Sequence, residues 1–116
     1  MPLLNTEIAD AVVPVVRARG ELDLSTAPQL SDAIRSATTG SPPRLVIDLA
    51  ELTFCDSTGL RAILLAVRDI EAAGGETAVV AAPGGPFDRL LDLLGLREVV
   101  RVAQSSDEAL RRLGAE

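Results

Sequence analysis

A hydroxyl that follows a carboxylate is the feature of this sequence best placed for chemistry, within Phe54-Cys55-Asp56-Ser57-Thr58-Gly59-Leu60. The Asp56 carboxylate can accept the backbone N–H of Thr58 or Gly59, because the first N–H groups of a helix have no partner inside it. The spacing predicts that Asp56 caps a helix and that Ser57 is near its first position, at the positive end of the helix dipole. Ser57 is therefore the candidate reactive group.

The sequence on either side predicts the elements that hold this hydroxyl. The run Leu45-Val46-Ile47-Asp48-Leu49 is almost continuously apolar and rich in β-branched residues, which is typical of a strand covered on both faces. After the hydroxyl, apolar residues recur at the spacing of one helical face: Leu60, Ile63, Leu64, Val67 and Ile70. Ser57 is thus expected at the turn between a strand and a helix.

The amino-terminal part predicts two extended segments, residues 3–10 and 11–19, in which Pro14 indicates an edge strand or a bulge. A helix ending near Ala37 is expected to start in a capping box formed by Thr26 and Gln29.

The later elements alternate in the same way. Gly74-Gly75 ends the central helix. Then come a strand over 77–82, a helix over 87–94, a strand over 99–103 and a helix opened by Ser105 and Glu108. The alternation predicts an α/β domain: a mixed central β-sheet of about four to five strands packed with about four helices.

Composition limits the function classes. The chain has 116 residues, 47% of them hydrophobic, so we expect one domain over 1–116 with a core over about 8–113. A net charge of −6 argues against nucleic-acid or anionic-membrane partners. No apolar run reaches the roughly 18 residues of a membrane span and no leader pattern is visible, so a cytoplasmic protein is expected. Cys55 is the single cysteine, which fits a reducing compartment and a small core residue.

The sequence also lacks histidine and lysine, because all 11 basic residues are arginine. Without them there is no Ser-His-Asp triad, histidine metal site, Schiff-base lysine or Walker lysine. We therefore expect no enzyme activity, cofactor or metal. Asp48 and Asp56 could form an acid/base couple, but no cleft or second catalytic group is recognisable, so a solvated or capping role is favoured for Asp48.

The exposed face of the central helix carries a candidate contact stripe at i, i+3, i+7 and i+10, made of Thr58, Arg61, Leu65 and Arg68. Leu65 is the anomaly, since the helical spacing gives it no core to enter. It is either one of the isolated exposed leucines found on any surface or an apolar anchor for a partner.

The string Asp56-Ser57-Thr58-Gly59-Leu60, with Gly20-Glu21-Leu22-Asp23 upstream, resembles the STAS domain of bacterial anti-sigma factor antagonists. The order of elements agrees from about Ile8 to Leu113. The resemblance implies a switch: an anti-sigma factor that is an ATP-dependent serine kinase phosphorylates Ser57. The unphosphorylated form binds that kinase and frees a sigma factor, and a serine phosphatase restores it.

By position, the resemblance makes Ser57 the phosphoacceptor and brings Asp23 to the same surface, although Asp23 could equally cap the backbone N–H groups of Ser25 or Thr26. With the stripe, the expected partner-binding residues are Asp23, Asp56, Thr58, Gly59, Arg61, Leu65 and Arg68. Arg61 departs from the family, in which many members have a small residue at that position. Two alternatives remain open: an unmodified scaffold subunit of a signalling or transport assembly, or a nucleotide or small-ligand module. A monomer or weak dimer is expected.

Overall fold

The structure, a computed structural model, describes residues 3–9, 12–38, 40 and 42–114. Across these ranges the strands are β1 (Leu4–Ala9), β2 (Val15–Leu22), β3 (Arg44–Cys55), β4 (Glu76–Val80) and β5 (Val102–Ala103). The helices are α1 (Ala27–Ala37), α2 (Ser57–Ala72), α3 (Pro86–Leu93) and α4 (Ser106–Arg112). None of these helices is both long and apolar enough to cross a membrane.

The strands form one mixed sheet in the order β1-β2-β3-β4-β5, in which β1 runs antiparallel to β2 and the other pairs are parallel. The predicted α/β class and the count of strands and helices are confirmed. The edge assignment from Pro14 is wrong, because β2 starts after it at Val15 and pairs on both sides. Asp10 and Ala11, where the two predicted segments meet, lie outside the described residues.

Side-chain alternation divides the core between the two faces of the sheet. Along β3, Leu45, Ile47 and Leu49 belong to the cluster covered by α1, α2 and α3, whereas Val46 belongs to the cluster covered by α4. Because successive strand side chains point to opposite faces, a strand covered on both must be apolar nearly throughout. The prediction for 45–49 is therefore confirmed, although β3 extends to Cys55.

Two local predictions are wrong, the capping box of α1 and the length of the last strand. Thr26 is the N-cap of α1 but makes no side-chain capping bond, because its hydroxyl donates to Glu21 O at 2.8 Å and accepts from Asp23 N–H at 2.9 Å. Gln29 instead donates from Nε2 to Leu4 O at 2.8 Å and ties α1 to β1. The last strand, predicted over 99–103, is shortened to Val102–Ala103.

Candidate functional site

The turn between β3 and α2 has the predicted geometry. Asp56 is the N-cap of α2, and its Oδ1 accepts the backbone N–H of Gly59 at 2.8 Å. The Asp56 N–H donates to Leu22 O at 3.1 Å, which ties the turn to the end of β2. Ser57 is the first residue of α2, and it is exposed.

Gly59 allows α2 to lie close to the end of β2, because it has no side chain. A Cβ at this position would lie 2.6 Å from Leu22 Cγ and 2.9 Å from Leu22 O. Leu22 is fully buried, so it has little room to withdraw. Gly59 is itself buried, so it contributes to the site by fixing where Ser57 emerges.

Asp23 lies at the same end of the sheet, because Leu22 and Cys55 are register partners in the parallel strands β2 and β3. Its Oδ1 accepts the hydroxyl of Ser25 at 2.7 Å and the backbone N–H groups of Ser25 and Thr26 at 2.9 and 3.1 Å. The capping role proposed for Asp23 is confirmed. These donors, the Ser25 hydroxyl first, lower the pKa of the Asp23 carboxyl and favour its charged form.

Two large apolar side chains near Ser57 were missed in the sequence. Leu24, which follows Asp23, is 73% exposed, and Phe54, at the end of β3, is 45% exposed. The available signal was a large apolar residue within two positions of the aspartate of each string. We call Asp23, Leu24, Phe54, Asp56 and Ser57 together the strand-end surface.

An apolar notch adjoins this surface where α3 packs beside the end of β3. Its volume is about 250 Å³. It is lined by Thr53, Phe54, Cys55, Pro86, Arg89, Leu90 and Leu93. Leu93 is 78% exposed, so the apolar character of the notch continues outward along α3.

The stripe on α2 extends along the helix well beyond Ser57. Arg61 and Arg68 are exposed and Thr58 is half-buried, but Arg68 lies about 16 Å along the helix axis from Ser57. Leu65 is half-buried and lines a groove of about 510 Å³ between α1 and α2, together with Ile34 and Ala62. The expectation that Leu65 has no apolar surroundings is therefore wrong, because α1 supplies them.

Asp48 and Cys55 have structural roles. Asp48 accepts from Arg17 Nε at 3.2 Å and from the Ser106 hydroxyl at 2.9 Å, so it joins β2, β3 and α4. It lies about 26 Å of extended chain before Asp56, so the two do not form an acid/base couple. Cys55 is buried, and burial raises the pKa of its thiol to about 12. In the part of the chain that the structure describes, no group of three or more cysteine or acidic side chains could hold a metal ion.

Comparison with known proteins agrees with this geometry. The family model of the STAS domain matches residues 4–109. An anti-sigma F factor antagonist of Paenibacillus polymyxa is 36% identical over 106 residues, covering 87% of this chain and 86% of that protein. Osmosensory protein A of Mycobacterium tuberculosis is 36% identical over 69 residues, but the match covers 60% of this chain and only 43% of that longer relative.

Solved structures agree as well. The crystal structure of an anti-sigma factor antagonist from Mycobacterium paratuberculosis has a TM-score of 0.84 and 33% identity, covering 97% of this chain and 95% of that chain. The structure of the Bacillus cell fate determinant SpoIIAA in its phosphorylated form has a TM-score of 0.63 and 25% identity, covering 95% of this chain and 98% of that chain. This chain therefore belongs to the STAS domain family and, within it, to the anti-sigma factor antagonists, which are regulatory binding proteins rather than enzymes.

Proposed function

We propose that this protein binds an anti-sigma factor serine kinase while Ser57 is unmodified, so that a sigma factor is freed, and that phosphorylation of Ser57 ends the binding. In that step the γ-phosphoryl group of ATP passes to Ser57 Oγ, ADP leaves and the hydroxyl proton is released. A serine phosphatase would hydrolyse the phosphoserine and restore the binding form.

The observation that carries this proposal is the position of Ser57. It is an exposed hydroxyl on the first residue of α2, held there by the Asp56 cap and the close contact between Gly59 and Leu22. Leu24 and Phe54 are exposed near it. Apolar side chains around a rigidly held polar group are the usual composition of a protein interface core. The phosphorylated form of SpoIIAA, a structural neighbour, supports a phosphate on a protein of this fold.

Phosphorylation would act on binding rather than on folding. It adds about −1.5 to −2 charges at neutral pH. On the strand-end surface the phosphate would stand near the Asp23 and Asp56 carboxylates and between apolar groups that a partner must cover. Burying such a charge is costly, whereas in the free protein it stays in water at a helix start, where anions are tolerated.

The proposed partner contacts divide by distance from Ser57. Asp56, Thr58 and Arg61 lie within about one helical turn of Ser57. Asp23 follows the end of β2, the strand paired with β3, and Gly59 sets the close approach of α2 to Leu22. Leu65 and Arg68 lie two to three turns along α2, so they would contact a partner only through a wide interface.

A phosphorylation map tests the proposal. The protein and its Ser57→Ala variant are incubated with host lysate and ATP and analysed by mass spectrometry. One phosphate on Ser57 that is absent from the variant is the expected result. No phosphate, with kinase activity in the lysate verified on another substrate, would contradict the switch.

Partner binding separates the switch from a constitutive scaffold. The switch predicts that Ser57→Asp loses affinity for the anti-sigma factor while Ser57→Ala retains it. Equal affinity of both variants would favour a scaffold subunit whose serine is never modified. Far-UV circular dichroism is the control, because Ser57→Asp should keep the helix signal of the unmodified protein.

The groove between α1 and α2 favours a second candidate function, binding of a small apolar ligand. Its volume of about 510 Å³ falls within the range of ligand pockets, and most of its lining is aliphatic. Its cation, Arg35, is paired with Asp32 at 2.8 Å, so the groove offers little to a nucleotide phosphate. A thermal-shift screen of nucleotides and fatty acids tests this, because a ligand that binds the native state raises Tm.

A further inference from the structure

Arg61 lies one helical turn after Ser57 on the same side of α2, and both residues are exposed. Residues four apart on a helix are neighbours, with about 5–6 Å between their Cβ atoms. Helical Cα–Cβ bonds tilt toward the amino terminus, so the Arg61 side chain leans toward Ser57 rather than away from it. A guanidinium there can reach a group attached to the Ser57 oxygen.

Arg61 is also uncommitted. Several other arginines of this chain have carboxylate partners, including Arg35 with Asp32 at 2.8 Å and Arg68 with Asp69 at 3.8 Å. Among the described residues Arg61 forms no such pair within 4.0 Å. Its neighbours at i−4, i−3, i+3 and i+4 carry no acid, since they are Ser57, Thr58, Leu64 and Leu65.

We propose that Arg61 is the internal ligand of the phosphate on Ser57 and that this ion pair is part of the inactive state. The proposal rests on the proposed function, because it needs phosphoserine at position 57. Before modification the guanidinium is free for an acidic group of the partner. Afterwards the phosphate takes it, so one modification adds a negative charge to the interface and withdraws a positive one.

The chemistry of the two groups suits this pair. A guanidinium presents N–H donors in a planar fork that matches two phosphate oxygens, and such charge-assisted bonds are stronger than neutral ones. A cation beside the phosphate would offset its repulsion from acidic groups, because Asp56 precedes Ser57 and Asp23 follows the end of the neighbouring strand β2. The rival cation is Arg89 on α3, which lines the notch beside Phe54.

Phosphorus NMR of protein carrying phosphoserine at position 57 tests the proposal directly. The phosphoserine is incorporated during translation, so no kinase is required. Phosphoserine loses its second proton near pH 6. An arginine that pairs with the dianion lowers this pKa, so Arg61→Gln should raise it, by about half a pH unit for an exposed pair.

Matched variants separate a contact from a general charge effect. Arg68→Gln removes the same charge from the same helix about 16 Å away, which at about 0.15 M ionic strength is two Debye lengths. It should leave the phosphoserine pKa unchanged, whereas Arg61→Lys, which keeps the charge without the fork, should give an intermediate value.

Two results would overturn the proposal. The first is an equal phosphoserine pKa in the wild type and in Arg61→Gln. The second is a phosphoserine pKa that rises in Arg89→Gln but not in Arg61→Gln. Failure of the proposed function looks different. If the titration shows the ion pair but lysate kinases never modify Ser57, Arg61 can bind the phosphate, and the phosphorylation switch of the proposed function is contradicted.

Discussion

The substitution Gly59→Ala should destabilise the protein although alanine is the better helix former. The added Cβ would lie 2.6 Å from Leu22 Cγ, 2.9 Å from Leu22 O and 3.1 Å from Leu22 Cδ2. An extra carbon in a packed interior costs about 1–3 kcal/mol, and we take about 2–3 because a backbone oxygen cannot rotate away. Helix propensity offsets about 1 kcal/mol, so the net loss of unfolding free energy is about 1–2 kcal/mol.

Urea unfolding measures this difference, with the exposed Ser57→Ala as a control from the same helical turn that should change little. A loss of that size corresponds to a Tm about 4–10 °C lower for a domain of this length. The same comparison is then made in the Leu22→Ala background, which removes two of the three close atoms, Leu22 Cγ and Cδ2. There Gly59→Ala should cost about 1 kcal/mol less than in the wild type, because the contact with the carbonyl oxygen of residue 22 remains while both side-chain contacts are gone.

A higher urea midpoint in Gly59→Ala than in the wild type, which helix propensity alone requires, would refute a clash with Leu22. An equal cost in both backgrounds would exclude the Leu22 side chain as its origin, because Leu22→Ala removes both side-chain contacts.

Three further predictions concern Asp88, Cys55 and Leu65. The Gly84 N–H and Arg97 lower the pKa of Asp88 below 3.8, so its stabilisation is present above that pH and is lost as pH falls through the lowered pKa. The wild type should therefore have a higher urea midpoint than Asp88→Asn at neutral pH, and the difference should narrow in acid. A difference that stays constant with pH would contradict a stabilising charge on Asp88. With a thiol pKa of about 12, Cys55 should react with alkylating reagents at pH 8 only after unfolding, and rapid native labelling would contradict its burial. Leu65→Ser should weaken anti-sigma factor binding about five- to tenfold if the interface extends along α2, and unchanged affinity would remove Leu65 from it.

The strand, turn and helix around Ser57 could be predicted because they depend on neighbours in the sequence. The β-branched run, the Asp56 cap and the apolar spacing of α2 are all local, and each is present in the structure. The polar groups of the β2–α1 turn could not be assigned in the same way. Thr26 and Gln29 fit a capping box, but Glu21 O and Leu4 O, brought close by β2 and β1, take those side chains instead.

The role of Gly59 and the surroundings of Leu65 were equally out of reach. The reason for a glycine at position 59 is the distance to Leu22, which lies 37 residues earlier and is known only once β2 and β3 are in register. Leu65 has an apolar setting only because α1 packs beside α2. In both cases the missing information was which element packs on which.

In the strand-end surface, the residues that stabilise the fold and the residue that we propose as the switch lie within four consecutive positions, 56–59. Asp56 Oδ1 accepts the Gly59 N–H, and the absence of a side chain at Gly59 leaves room for Leu22, so both residues contribute to stability. Ser57 is exposed between them, and a phosphate there needs no inward contact to be broken. A switch built in this way changes its surface charge while the elements that present it stay packed. Variants at Ser57 should therefore alter partner binding at constant unfolding free energy, whereas variants at Gly59 should alter unfolding free energy first.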